Sequence, residues 1–262
     1  QTQEYANYLS QIGWSVERSA EINYFVRKLP FVGSILKVQR PQEIRISKIR
    51  ELAKKYRAFQ IIIEPKSSLD ADFLVSLGFH LSKSPYLPTK TLQIDLTQTK
   101  EKILKGVKKD AKSVIKKGEN LELRNYKDDL DKFRGAWKKS VGLKRYVPPS
   151  QQLVSLKKSF KNNSLFLMTE DEAAGAIFLL ADGIGYYWQA FTNREGRERQ
   201  EQYKVVWEGI LWAKKAGARI FDFEGIYDER FPNKSWLGFT HFKKSFGGYE
   251  VSYPGTFVKW FL

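Results

Sequence analysis

The 262-residue chain sets 45 Lys and Arg against 29 Asp and Glu, a net charge of +16 at pH 7, and 42% of its residues are hydrophobic and 15% aromatic. That is material for one large core or two smaller ones, and it argues against disorder away from the ends. Cysteine is absent and His80 and His241 are the only histidines, which excludes disulfides, thiolate nucleophiles, cysteine-ligated metals and three-histidine zinc sites.

Such a positive excess concentrates polyanions such as RNA, anionic lipid headgroups or pyrophosphate-bearing substrates, the bland alternative being a solubilising lysine surface. No long uncharged apolar run is present to span a bilayer. Taken in chain order, residues 5–9 read as a short helix, and 22–29 and 34–39 as strands joined through Pro30 and Gly33. Ile46, Ile49, Leu52, Ala53 and Tyr56 recur at helical spacing. Residues 59–63 ("FQIII") read as a buried strand, 69–77 as a helix closed by Gly78, and 92–96 as another strand.

Residues 100–117, "KEKILKGVKKDAKSVIKK", hold eight lysines against Glu101 and Asp110. Ile103, Val107, Ala111 and Val114 or Ile115 form one apolar stripe, so the segment predicts a basic amphipathic helix able to present lysines to RNA or to a membrane. Helices follow at 130–141 and from Ser150. Three strands then run by hairpins: "SLFLMTE", "AAGAIFLL" and the aromatic "IGYYWQAF", with Asp182-Gly183 at the second turn. After the polar loop "TNREGRERQEQ" come a helix ending near Gly217, a strand at 220–223, a helix at 236–246 and an extended end interrupted by Pro254-Gly255.

The pattern of strand, helix, strand, helix, strand in the first half returns in the second. It predicts an α/β (α+β) chain of two tandem N-acyltransferase-like domains of the GNAT type, with mixed sheets flanked by helices. The expected division is 1–96 for a degenerate first domain, 97–118 for the basic inter-domain helix and 119–262 for the second domain. C-terminal residues are expected to complete the first sheet.

"YYWQAF", "WEGILWAKKAGARIFDFEGI", "WLGFTHFKKSFGG" and "YPGTF" resemble, in order and spacing, the FemABX family of peptidyltransferases. The stretch "TLQIDLTQTKEKILKGVKKDAKSVIKKGENLEL" resembles that family's inter-domain segment. The chain departs from many members in having no room for a long helical hairpin insertion, and so resembles a compact form. What the resemblance implies is an enzyme that transfers an amino acid from aminoacyl-tRNA to the peptide-stem amine of a muramyl-peptide precursor. That precursor is lipid II or the nucleotide-linked pentapeptide. It further implies a cytoplasmic monomer working at the inner membrane face, in contact with anionic lipid, with aminoacyl-tRNA as co-substrate and no metal or bound cofactor.

On the same resemblance, Phe242-Lys243 matches a motif whose lysine lies near the reaction. An ammonium there is suited to stabilising the oxyanion of an aminoacyl ester under attack, or to holding a phosphate of the terminal adenosine. Lys244 stands beside it, and a solvated lysine near a helix end is the plainer reading. Strand alternation places Asp222 and Glu224 on one face, to bind the acceptor ammonium or take its proton. Alternatively Asp222 pairs with an arginine or caps a helix. Alternation also puts Tyr187 with Gln189 on one face and Tyr186 with Trp188 on the other. For the precursor's diphosphate, Lys37 is the first choice among Arg27, Lys28 and Lys37, followed by Arg145 with Lys144.

An aminoacyl ester is already activated, so alignment and exclusion of water matter more than strong acid or base, and a missing Ser-His-Asp set fits that chemistry. The loop before the long helix has only Gly196, too few glycines for a pyrophosphate loop, which argues against coenzyme A. The other readings are the same fold acting on a protein or lipid acceptor, and a non-catalytic RNA-binding protein, which no aromatic RNA-stacking pair or GXXG loop supports.

Overall fold

A computed structural model describes residues 1–143 and 145–261. They form two compact units, neither continuous in sequence: residues 1–90 with 228–233 and 252–261, and residues 91–227 with 234–251.

The first unit opens with α1 (Gln3–Gln11), capped by Thr2, whose hydroxyl accepts from Tyr5 N–H. The strands β1 (Ser15–Ser19), β2 (Ile22–Leu29) and β3 (Gly33–Gln39) form an antiparallel meander. Then come α2 (Ile46–Lys55), β4 (Ala58–Glu64), parallel to β3, α3 (Ser68–Ser76) and the two-residue β5 (His80–Leu81). Ser67 caps α3, and Gly78 at φ +77 ends it, where a side chain would be strained. The last strand of the chain, Phe257–Trp260, lies between β4 and β5, antiparallel to both. Ile49 and Leu52 from α2 and Ala71 and Leu74 from α3 cover Val26, Leu36, Val38, Ile61 and Ile63 on one face of this sheet.

The second unit begins with β6 (Lys90–Asp95), and the basic segment follows as two helices, α4 (Lys100–Gly106) and α5 (Lys109–Lys117), not as one. The break has a tertiary cause. Val107 takes an extended conformation and Lys108 donates its backbone N–H to Ser245 O at 2.8 Å. The apolar stripe survives it: Ile103, Val107, Ala111 and Ile115 are buried, while every lysine but Lys112 is exposed.

After β7 (Leu123–Asn125), α6 (Leu130–Val141) and α7 (Ser150–Phe160), the meander β8 (Ser164–Thr169), β9 (Ala174–Ala181) and β10 (Ile184–Thr192) turns at Asp182-Gly183, both at positive φ. A short α8 (Arg194–Glu198) precedes α9 (Gln202–Lys215), which returns the chain to β11 (Ile220–Asp222), parallel to β10. Then α10 (Leu237–Lys244), preceded by a single 3-10 turn at Lys234–Trp236, leads to β12 (Tyr249–Ser252). With the last strand as β13, the sheet order is β12-β6-β11-β10-β9-β8-β7.

Both faces of this sheet are covered. One carries α4, α5 and α9 over Phe178, Tyr187, Phe221 and Phe223. On the other, Phe133 and Trp137 of α6 pack on Phe166 and Phe191. No helix among the described residues is long and apolar enough to cross a membrane.

Candidate active site

The site in the second unit arises where two neighbouring strands part. β11 pairs with β10 only over Ile184–Tyr186, while β10 runs on to Thr192. Just past the parting, the backbone turns: Glu224 takes φ +61 and Gly225 φ +138. The alternation expected to set Asp222 and Glu224 on one face therefore ends at Asp222, and Phe221 and Phe223 are both fully buried with centroids 5.2 Å apart.

Lys243, on α10, reaches this turn. Its Nζ donates to Phe223 O at 2.7 Å and to Gly225 O at 2.6 Å. It lies 4.9 Å from the Phe239 ring centroid and 5.7 Å from that of Tyr187. Burial lowers its pKa to about 8, against the raising influence of the Glu224 and then the Asp222 carboxylate. An ammonium has three donors, so two are held by backbone carbonyls and one remains, without a partner among the described residues. A half-buried lysine fixed by two carbonyls and walled by rings is not a solvated surface group.

Asp222 is buried, and its oxygens are spent: Oδ1 accepts from Thr91 Oγ1 at 2.6 Å and from the Glu224 backbone N–H at 2.7 Å, and Oδ2 from Gln93 Nε2 at 2.7 Å. Among the described residues it neither pairs with an arginine nor caps a helix. It pins the turn that positions Glu224 and the two carbonyls around Lys243. Thr91 and Gln93 were not singled out in the sequence, although their signal is legible: polar residues alternate with Leu92 and Ile94 on an otherwise apolar strand.

Tyr187 and Gln189 do not share a face. A bulge at Trp188 shifts the register, so that Tyr187 opposes Phe178 and Gln189 opposes Ile177, two successive residues of β9. Tyr187 is buried on the Lys243 side, where its hydroxyl accepts from Gln202 Nε2 at 2.9 Å and burial pushes its pKa up. Gln189 lies on the other side with the exposed Arg145, which donates to Gln189 Oε1 at 3.4 Å and to Ala190 O at 3.3 Å. Lys144 lies outside the described residues.

Phe242 packs its ring on Tyr203 and Phe246, centroids 4.8 and 5.4 Å apart, and so anchors α10 without facing the turn. Lys244 is exposed and paired with Glu250. His241 is exposed on α10.

Lys37, of the first unit, stands 5.5 Å from the Tyr86 ring centroid. Burial lowers its pKa, partly offset by the neighbouring Glu64 carboxylate. Glu64 is itself buried; its Oε1 accepts from Thr256 Oγ1 at 3.1 Å, its Oε2 has no hydrogen-bond partner among the described residues, and burial raises its pKa against the opposing pull of Lys37 and Arg40. Arg27 is spent on the carbonyls of Ile12 and Gly13.

Gly196 serves packing. A Cβ there would meet Ala173 O at 2.5 Å, and its N–H donates to Asn193 Oδ1 at 2.8 Å, so its amide is not free for a pyrophosphate.

No protein-family model matches the sequence, and no curated protein matches it. Solved structures do match. They define the class as a tandem N-acyltransferase fold of the Fem type, two mixed sheets flanked by helices. FemX superposes with a TM-score of 0.81 at 14% identity, covering 98% of this chain and 91% of that one. The C-terminal domain of a putative lysylphosphatidylglycerol synthetase from Agrobacterium fabrum gives 0.64 at 11%, covering 98% and 87%. A tandem GNAT protein from the clavulanic acid biosynthesis pathway gives 0.56 at 12%, covering 95% and 83%.

Proposed function

We propose that the chain is an aminoacyltransferase that moves an amino acid from aminoacyl-tRNA to the peptide-stem amine of a muramyl-peptide precursor, in the cytoplasm. The observation that carries the reading is Lys243, with two donors locked on Phe223 O and Gly225 O and one left over at the parting of β10 and β11. A preorganised ammonium needs no reorganisation as charge develops on the ester oxygen. Attack by the acceptor amine forms the new C–N bond, places negative charge on that oxygen beside Lys243, and collapse breaks the ester bond to the tRNA ribose. The amine's proton leaves with the ribose hydroxyl or to water.

Tyr187 and Phe239 wall the ammonium and keep water off it. Asp222 holds the turn, and the Glu224 carboxylate, near enough to Lys243 to raise its pKa, suits the acceptor ammonium in this reading. The exposed lysines of α4 and α5 suit tRNA phosphates. The engaged amide of Gly196 weighs against coenzyme A as donor.

A lipid acceptor is the second reading, supported by the likeness to a lysylphosphatidylglycerol synthetase domain. The test is a transfer assay with a pool of charged tRNAs carrying labelled amino acids. Nucleotide-linked pentapeptide, lipid II and phosphatidylglycerol are offered separately, to native protein and Lys243→Ala. Label in a muramyl acceptor, lost in the variant while the fold and tRNA binding persist, supports the reading. Label in phosphatidylglycerol alone moves the assignment to the lipid, and no label anywhere refutes both.

A further inference from the structure

The edge of the first unit where β2 turns into β3, β4 begins and β13 ends gathers features that aminoacyl transfer does not use. The β2–β3 turn shows Phe31 and Val32 to solvent, Phe31 fully. Phe31 has φ +64, a left-handed conformation that glycine or asparagine adopts freely and a bulky aromatic does not. Turn chemistry alone thus gives no reason for a phenylalanine here. Ser34, just past the turn, donates its N–H to Arg57 O at 3.2 Å, and Phe261 donates to Phe59 O at 2.7 Å, so the three segments share one edge. Trp260 stacks on Phe59, centroids 6.0 Å apart, yet stays 58% exposed.

Beside them lies a groove of about 410 Å³, a volume typical of ligand sites. Ile61, Phe79 and Phe261 form its apolar surface, and Arg50, Lys54, Arg57 and Lys259 rim it. No carboxylate is among the described residues that line the groove, and two carboxylates of the same unit are taken elsewhere, Glu51 by Lys48 and Glu17 by Lys55, each at 2.6 Å. Arg50, Lys54 and Arg57 are exposed and pair with no carboxylate among the described residues.

An exposed apolar tip, an aromatic beside it, unpaired cations and an apolar groove together match an anionic lipid interface. We propose that this edge docks on a bilayer rich in anionic phospholipid. Phe31 and Val32 enter the acyl boundary, and Trp260 sits at headgroup level. The three unpaired cations meet lipid phosphates, and the groove takes one acyl chain. Charge complementarity selects the bilayer over a second copy, which would bring the same cationic edge and a net charge of +16. The inference does not rest on the transfer reaction.

The test is flotation of the full chain with phosphatidylglycerol–phosphatidylcholine vesicles and with phosphatidylcholine vesicles alone. One variant is Phe31→Asn/Val32→Ser, asparagine suiting the left-handed backbone. Another is Arg50→Gln/Lys54→Gln/Arg57→Asn, and Lys109→Gln/Lys112→Gln/Lys116→Gln on α5 is the control for general charge. Near an anionic surface each cation contributes about fivefold, so the first-unit triple should weaken binding about a hundredfold. The Phe31 variant should lose at least tenfold, and brominated acyl chains should quench native protein more than Trp260→Phe. The proposal is overturned if both edge variants bind within twofold of native protein while the α5 variant does not. It is equally overturned if native protein ignores anionic vesicles, or if it self-associates through this edge without binding them.

Discussion

Replacing Lys243 by methionine keeps most of the side chain's length and removes the charge and all three donors. Two of those donors hold Phe223 O and Gly225 O at 2.7 and 2.6 Å, leaving one for the substrate oxygen. Loss of a single oxyanion donor lowers kcat by about 10²–10³, or about 2.7–4 kcal/mol of transition-state stabilisation. Lys243→Met should therefore lose that much in kcat with little change in KM for either substrate. Lys243→Arg should not rescue it, because a planar fork cannot direct two donors to those carbonyls and a third elsewhere in the same way.

The pH profile carries independent information. With a pKa of about 8, the ammonium is populated to about nine-tenths at pH 7 and about one-tenth at pH 9. Native kcat should fall above pH 8, after any rise from deprotonation of the acceptor amine. Single-turnover transfer at saturating substrate, from pH 6.5 to 9.5, reads both effects, with circular dichroism to confirm the variant is folded. A native rate that follows deprotonation of the acceptor amine alone, with no loss above pH 8 relative to Lys243→Met, would refute the oxyanion role. Methionine retaining activity within threefold would remove Lys243 from the chemistry altogether.

Because the folded pKa of Lys243 is about 8 and the unperturbed value 10.5, the unfolded chain binds the extra proton between them. Native stability relative to Lys243→Met should rise from pH 8 to 10.5, as read by urea unfolding, and a flat difference would contradict the shift. Asp222→Asn should cost about 1–3 kcal/mol, because one of the donors from Thr91, Gln93 or the Glu224 backbone loses its acceptor. Its kcat should fall less than that of Lys243→Met, and a larger fall would assign Asp222 a direct part in transfer. Gly209→Ala on α9 would place a Cβ 2.2 Å from the Phe178 ring and should cost about 1–3 kcal/mol. Gly135→Ala on α6 meets nothing within 4 Å and should stabilise by about 0.5–1 kcal/mol, so urea midpoints that move together would refute the packing argument.

The alternation and helical spacing of apolar residues carried the order of elements, and the Gly78, Asp182-Gly183 and Gly217 stops fall where left-handed backbone is needed. The motif around Lys243 was legible as a stretch of residues, but what holds the lysine was not. Its partners are backbone carbonyls, which no side-chain pattern encodes. Strict alternation fails for Tyr187, Gln189 and Glu224 at a bulge and at a positive φ; no glycine or asparagine marks the bulge at Trp188, and only Gly225, one residue past Glu224, signals the turn. The broken basic helix has the same origin, a tertiary bond from Lys108 to Ser245 O that local propensity cannot show.

That β13 sits between β4 and β5 has a consequence for how the polypeptide is made. During synthesis the stretch "AFQIIIE" of β4 emerges early, apolar and rich in isoleucine, with one edge open until residues 257–260 arrive. The ribosome must deliver every residue of the second unit before that edge is closed. The nascent chain is thus exposed over most of its elongation to edge-to-edge aggregation, and removal of the last ten residues would make that exposure permanent.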